Sequence, residues 1–375
     1  MLIVIESLLK KIAVLGAGHV GHACSADLSL GGYNVTLYEL PELRENLKPI
    51  LNRGGIEITG KARTGFAKLG KITSQIEEAL KGAELIQICV PGFGHRRFSE
   101  VCVPYIDDGQ TVVFYGCGGG ALTFAKTMKD MKIKKRILLG ETNLPPYVAR
   151  RTGLGEVNVF VKNDYLLAAA FPARDTDRLV EILKEIYPAV AQATNVLETL
   201  LCQVNSVGHP AATLLNVGRI EYSGPFRLWR EGVTPSVANV IEAVDNERLA
   251  VMKALGLRHL EPYHELGAIL GLNPPAKSIY EAINAKRIVP LNPTDVKNHR
   301  YVSEDVPYGI VTMASIADMI GVETPVTNSL ISLFSTMNKV DYWSEGRTVE
   351  KMGISGLSVE ELKEYVNQGE LRSAR

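Results

Sequence analysis

Two hydrophobic periods alternate along the first half of the chain. Lys11-Ile-Ala-Val-Leu15 is a short apolar run that ends in Gly16-Ala-Gly18-His-Val-Gly21. Positions 20–30 suit a helix closed by Gly31-Gly32, and Tyr33-Asn-Val-Thr-Leu-Tyr-Glu39 alternates with the two-residue period of a strand. Strand, glycine turn, helix and strand make one βαβ unit. The rhythm recurs at 85–90, 111–115 and 136–139, each run stopped by glycine or proline, with helical stretches around 75–81 and 121–129. Such alternation predicts a doubly wound parallel sheet of the Rossmann type, an α/β architecture. Positions 157–162 and 165–171 read as a hairpin that extends the sheet, with Lys162-Asn-Asp164 as its turn.

Beyond about position 187 the pattern changes to helical periodicity, at 196–217, 236–255, 263–270, 310–320 and 327–338. An all-α C-terminal substrate domain is therefore expected. The chain has 375 residues, more than one core usually serves, which agrees with a Rossmann domain over 1–195 and a helical domain over 196–375. The opening Met1-Leu-Ile-Val-Ile is too short to span a bilayer and is expected to lead into a strand. Lys plus Arg and Asp plus Glu both total 41, without basic runs, so neither nucleic acid nor membrane is an expected partner. The five cysteines are irregularly spaced, with no C-x-x-C. No metal site is expected, and a reducing cytoplasmic setting is.

Thirty-four glycines in 375 positions give roughly 0.3 G-x-G-x-x-G motifs by chance, so context carries the weight here. The motif follows a predicted strand, opens a helix and precedes Glu39 at the end of the next strand. Gly16 allows the tight turn, Gly18 lets backbone approach a pyrophosphate, and Gly21 lets the helix pack closely on the sheet. Backbone N–H groups from Ala17 through His19, Val20 and Gly21 then face the phosphates at the positive end of the helix dipole. Glu39 would bond the adenosine ribose hydroxyls and repel a 2′-phosphate, which favours NAD. Arg44 softens that preference and leaves NADP open. Val90-Pro91 and Gly116 end the neighbouring strands and are expected to line the crevice beside the nicotinamide. A second near-match, Gly116-Cys-Gly118-Gly-Gly-Ala121, lacks an acidic residue at the end of its next strand and is not expected to bind a second cofactor.

In the helical half, Asn205, His209 and Thr213 stand at successive i, i+4 positions, a polar stripe on one helix face, with Pro210 expected to kink the helix. Such a histidine is as often structural as catalytic. Here the chain resembles the opine dehydrogenase family. The matching segments are Gly16-Ala-Gly18-His-Val-Gly21, Asn205-Ser-Val-Gly-His209-Pro, Glu231-Gly-Val-Thr234-Pro-Ser, Asp245-Asn-Glu247-Arg248, Arg300-Tyr-Val-Ser-Glu-Asp305-Val-Pro-Tyr-Gly309 and Trp343-Ser-Glu-Gly-Arg347-Thr. They run from position 11 to about 357.

The resemblance implies an enzyme that joins an amino acid to a 2-oxo acid and reduces the imine with NAD(P)H. It implies His209 as general acid/base, Asp305 as its partner and Arg300 as the clamp on a substrate carboxylate, with Asn205 beside them. An imidazole, with an ordinary pKa of about 6.5, suits proton transfer to water and nitrogen. The hydride passes directly from the nicotinamide, so no metal is needed. A 2-hydroxy acid or ketopantoate-type carbonyl reductase is the alternative. Enzymes of that type use a lysine in the helical domain, and none stands near 205–216. A protein that senses NAD without chemistry would need none of His209, Arg300 and Asp305.

Bland roles compete at other positions. His95 is either a cofactor contact or a solvated loop residue, Glu141 a cleft residue or a turn residue. Asp245, Glu247 and Arg248 are expected to form an internal ion-pair network. A homodimer is expected.

Overall fold

The computed structural model describes residues 9–222, 224–258, 260–265, 276–284, 293 and 295–371. The apolar opening at 1–8 and most of the helix expected at 263–270 lie outside them. The chain divides into two compact units, Met1–Val196 and Leu197–Arg375.

In the first unit the apolar runs become strands: β1 Lys11–Leu15, β2 Asn34–Tyr38, β3 Ile56–Gly60, β4 Gly65–Ala67, β5 Lys71–Thr73, β6 Leu85–Ile88, β7 Thr111–Tyr115, β8 Leu138–Thr142, β9 Tyr147–Gly153, β10 Glu156–Lys162, β11 Leu166–Phe171 and β12 Val190–Gln192. The helices are α1 His19–Leu30, α2 Lys48–Arg53, α3 Ile76–Leu80, α4 His95–Cys102, α5 Gly120–Asp130 and α6 Thr176–Ile186. Eight strands form one sheet in the order β12-β11-β8-β7-β6-β1-β2-β5. From β5 across to β8 all run parallel, and β11 enters antiparallel to β8. Strand order reverses between β1 and β6, so the crevice at their C-terminal ends is the topological switch point, where such sheets bind ligands.

The remaining strands form a second sheet, β4-β3-β10-β9, which packs on α1. This corrects the expected hairpin. Glu156–Lys162 pairs with β9 and β3 in the second sheet, while Leu166–Phe171 pairs with β8 and β12 in the first. The physical reason lies in burial. All six residues of Leu-Leu-Ala-Ala-Ala-Phe are buried, which suits the interior of the main sheet, whereas β10 is only half-buried. Between them Asn163 ties the turn to the carbonyls of Pro145 and Pro146.

Main sheet and second sheet enclose α1, whose residues from Gly21 to Leu28 are all buried. A helix covered on every side cannot be amphipathic, and His-Val-Gly-His-Ala-Cys-Ser-Ala-Asp-Leu-Ser-Leu is not. Its buried His22 and Asp27 find partners inside the fold. Asp27 accepts from the Tyr147 hydroxyl at 2.6 Å and from the Arg63 backbone and guanidinium at 2.9 and 3.0 Å.

Among its described residues the second unit is helical. The continuous helix expected over 196–217 is three helices: α7 Val196–Leu201, α8 Val204–Leu214 and α9 Val217–Glu221. Gln203 adopts an extended conformation that breaks the first junction. Next come α10 Pro235–Ala254 and the helices Val311–Ile320 and Pro325–Asn338. Of the expected ion-pair network, Asp245 and Arg248 form a fully buried pair at 2.8 Å. Glu247 instead accepts from the backbone N–H groups of Val326 and Thr327, capping the helix that they open.

Arg248 also donates to the carbonyls of Leu201 and Glu261, so its charge is held in the core by a few fixed acceptors. Removing its one carboxylate partner leaves a buried charge uncompensated. Asp245→Ala is expected to lower the unfolding free energy by about 3–5 kcal/mol, read from the urea midpoint at constant slope.

Candidate active site

Gly16 takes φ +100°, and a side chain there would meet Val90 Cγ1 at 2.4 Å. A Cβ on Gly21 would lie 1.7 Å from the Gly16 carbonyl oxygen. Around Gly18 the same test finds nothing within 4 Å. Two glycines are thus required by packing, and the third opens onto free space beside the N-terminus of α1. No side chain caps that terminus. The N–H groups of a helix start without a side-chain cap, the positive dipole end and an unobstructed backbone fit a dinucleotide pyrophosphate. His19 and Val20 open the helix at this point, and Val90-Pro91 stands against the turn from the end of β6.

Glu39 is buried at the rim of the same turn. Its carboxylate accepts from the Ala17 N–H and from the Leu40 N–H, each at 3.0 Å. The acidic side chain expected to meet the ribose is therefore fixed to the fingerprint backbone itself. One turn into α1, the His22 Nδ1 is 2.9 Å from the Gly18 carbonyl. Burial pushes its pKa down to about 4, the Gly18 hydrogen bond opposing only in part.

At Gly116-Cys-Gly-Gly-Gly120 the backbone offers a second such cradle, with positive φ at Gly116, Cys117 and Gly119. It is closed from within. Fully buried Glu141 accepts from the Gly119 N–H with both oxygens and from the Ala121 N–H, all at 3.0 Å. A carboxylate of the chain stands where a bound anion would, at the N-terminus of α5. Glu141 is thus the internal cap of that helix. His95 is also fully buried, its ring 4.9 Å from that of Phe114, so the solvated-loop reading does not hold. Gly116 itself lies against Pro145.

In the second unit α8 carries Asn205, His209 and Thr213 one turn apart, and the helix runs on through Pro210. The His209 Nδ1 is 2.7 Å from Asp305 Oδ2, with side-chain exposures of 14% and 4%. Residues 96 positions apart thus form a nearly buried pair. Among the described residues Nε2 has no hydrogen bond. Asp305 precedes a π-helical turn, Val306–Ile310, brought against α8 by Gly309, where a Cβ would strike Ser206 Oγ at 2.2 Å. The late Trp-Ser-Glu-Gly-Arg segment backs this turn: the Arg347 N–H donates to the Pro307 carbonyl and its guanidinium lies 5.2 Å over the Tyr308 ring.

Arg300 stands on the one-turn helix Arg300–Ser303, 44% exposed, and pairs with Glu304 at 2.6 Å. Asn205 is half-buried. Two residues not singled out from sequence join the imidazole. The Tyr301 ring stacks on it with centroids 3.7 Å apart, and the Trp229 ring lies at 5.4 Å. Tyr301 lies inside the quoted Arg300–Gly309 segment, and Trp229 lies two positions before Glu231-Gly-Val-Thr234. Their apolar bulk gave no sign of it. Among the described residues no cluster of three or more His, Cys, Asp or Glu could hold a metal ion, and no helix could cross a membrane.

Two outcomes follow from the turn. Gly18 has an ordinary φ of −80° and open space, so Gly18→Ala should melt like the wild type yet bind NADH at least about tenfold more weakly in a fluorescence titration. His22 has a folded pKa below its unfolded value, so the stability it contributes is present above about pH 6.5 and is lost as pH falls towards 4. The difference amounts to about 3 kcal/mol. Urea unfolding across this window should be flatter for His22→Gln.

Residues 192–338 match the family model described as NAD/NADP octopine/nopaline dehydrogenase, alpha-helical domain. An opine dehydrogenase of Arthrobacter sp. (strain 1C) is 34% identical, over 95% of this chain and 99% of its own. The protein ocs of Agrobacterium tumefaciens (strain Ach5) is 25% identical, over 96% and 99%. The fold matches a solved octopine dehydrogenase in complex with NADH and agmatine, with a TM-score of 0.77 and 19% identity over 98% of this chain and 100% of that one. An NAD(P) fingerprint at a switch point, a histidine–aspartate pair and likeness over nearly the full length agree: this chain belongs to the opine dehydrogenase family.

Proposed function

We propose that this chain joins an amino acid or amine to a 2-oxo acid and reduces the imine between them, with His209 as the general acid/base, and that it also runs the reverse oxidation of the secondary amine. The observation that carries the residue roles is the 2.7 Å contact between His209 Nδ1 and Asp305. A carboxylate on Nδ1 keeps the proton there and leaves the lone pair of the neutral ring on Nε2. Condensation requires a proton for the departing water, and the reverse reaction requires one to be taken from water as it adds to the imine. An imidazole whose protonated form is paired with Asp305 serves both directions. Bound NADH supplies the hydride, and Gly18 with the first turn of α1 would hold its pyrophosphate.

Arg300 is the proposed clamp on the oxo-acid carboxylate, a planar donor suited to bidentate pairing and exposed enough to be reached. In the bound state it would share itself between substrate and Glu304. Asn205, one turn before His209, would hydrogen-bond a polar group of the substrate. All five cysteines are free and buried, which supports a cytoplasmic setting. Exposed Leu215, Tyr222 and Leu333 support a homodimer, which light scattering of the purified chain would test.

With pyruvate, NADH oxidation should require an added amino acid or amine. His209→Ala should lower kcat by about 10²–10⁴-fold while leaving NADH binding intact. Turnover of pyruvate alone would replace this reading with a carbonyl reductase, and an unaffected His209→Ala enzyme would remove the histidine from the mechanism.

A further inference from the structure

We infer that Tyr301, held in place by Trp229, positions the His209 imidazole. This rests on the role proposed for His209. A single hydrogen bond from Nδ1 to Asp305 fixes one distance and leaves the ring able to swing about the bond axis. Tyr301 removes that freedom by stacking on the imidazole at 3.7 Å, with the planes 27° apart. The Trp229 indole N–H donates to the Tyr301 hydroxyl at 3.1 Å, so the stacking ring is itself pinned. Trp229 is 8% exposed and Tyr301 3%, so water scarcely screens what the rings feel.

The chain is shaped to admit this arrangement. A Cβ on Gly208, the residue before His209, would meet the Tyr263 hydroxyl at 2.7 Å and Trp229 at 3.6 Å. Thr234 caps α10 just after the Trp229 turn, and Asn216 donates to the Gly232 carbonyl, which anchors that turn on the end of α8. On the other side of Tyr301, the His299 ring meets it edge-on at 4.4 Å. The ionisable groups about the imidazole are therefore Asp305 on Nδ1, Tyr301 on its face, Tyr263 behind Gly208 and His299 beyond Tyr301. Arg300 and Glu304 pair with one another on the same short helix. Burial pushes the Tyr263 hydroxyl well above the usual phenol range, so it stays neutral. Asp305 thus decides which nitrogen carries the proton, and Tyr301 decides where the other one points.

Tyr301→Phe keeps the stacked ring and its edge contact with the Trp229 ring at 5.8 Å and loses only the hydroxyl, whereas Tyr301→Leu loses the ring. With pyruvate and saturating amino acid, Tyr301→Phe should hold kcat within about threefold of wild type. Tyr301→Leu should lose about 10²-fold in kcat, the effect of roughly 1 Å of misplacement, with little change in KM for pyruvate. A second readout needs no turnover: NMR of the His209 ring protons in the full chain. In the wild type they should lie upfield through the Tyr301 ring current; in Tyr301→Leu they should move downfield. A Tyr301→Phe enzyme as slow as Tyr301→Leu, or a Tyr301→Leu enzyme with wild-type kcat and unshifted resonances, overturns the inference. So does a wild-type spectrum without the upfield shift, even if Tyr301→Leu does not fold. If no amino acid supports turnover but the resonances respond to Tyr301→Leu, the positioning stands and the proposed reaction fails.

Discussion

The tightest glycine contact among the described residues is the approach of Gly21 to the carbonyl of Gly16, where no side chain could stand. It presses the first turn of α1 onto the end of β1 and aims the helix N-terminus out of the switch point. Much of the first unit follows from that contact. A helix this close to the sheet needs small residues along its length, and its alanines, Cys24 and Ser25 supply them. Its outer face is then covered by a second sheet, which leaves His22 and Asp27 without water. Each therefore finds a partner inside the fold, at Gly18 for the histidine and at Tyr147 and Arg63 for the aspartate.

Buried and half-buried carboxylates supply the other recurring device. Glu39 accepts from the turn of the fingerprint, Glu141 fills the cradle at α5, and Glu247 caps a helix in the second unit. Asp305 does the same for an imidazole N–H. In each case a fixed charge satisfies donors that have no partner in the regular hydrogen-bond ladder. Comparing the two glycine-rich turns shows what this decides. Both present backbone N–H groups at a helix start. Glu39 takes only the Ala17 N–H, ahead of α1, whereas Glu141 takes those of Gly119 and Ala121 at the start of α5, so it is the turn at Gly18 that has room for an external anion.

Much of this was legible in the sequence, for reasons that differ by element. The main sheet announced itself through apolar runs ending in glycine or proline, because strands buried on both faces have no other composition open to them. The second sheet was not legible. Its strands are short, polar on one side and built partly from Gly65, Arg150 and Arg151, so their period is weak. Placing 157–162 beside 165–171 followed sequence proximity, whereas the pairing follows burial. In the helical unit, His209 and Asp305 were paired through family resemblance, since nothing local links positions 96 apart. Tyr301 and Trp229 escaped because an aromatic residue on a helical segment looks the same whether it fills a core or braces a catalytic ring. Gly208 and Gly309 carried the hint, as small residues where two elements must nearly touch.

The enclosure of α1 also bears on how the chain acquires its fold. The sheet that covers this helix is closed by the parallel pairing of Glu57 with Glu156, residues about a hundred positions apart. Such pairings are entropically late, because a long loop must close before any contact repays it. The βαβ unit at 11–39 is complete in sequence long before then, yet its helix stays only partly covered on its outer side until residues 147–162 arrive. The nucleotide turn is in this sense not a portable module. A ribosome-bound chain that has emerged only through β8 would carry every glycine of the fingerprint and still lack two of the four strands that wall the helix from behind.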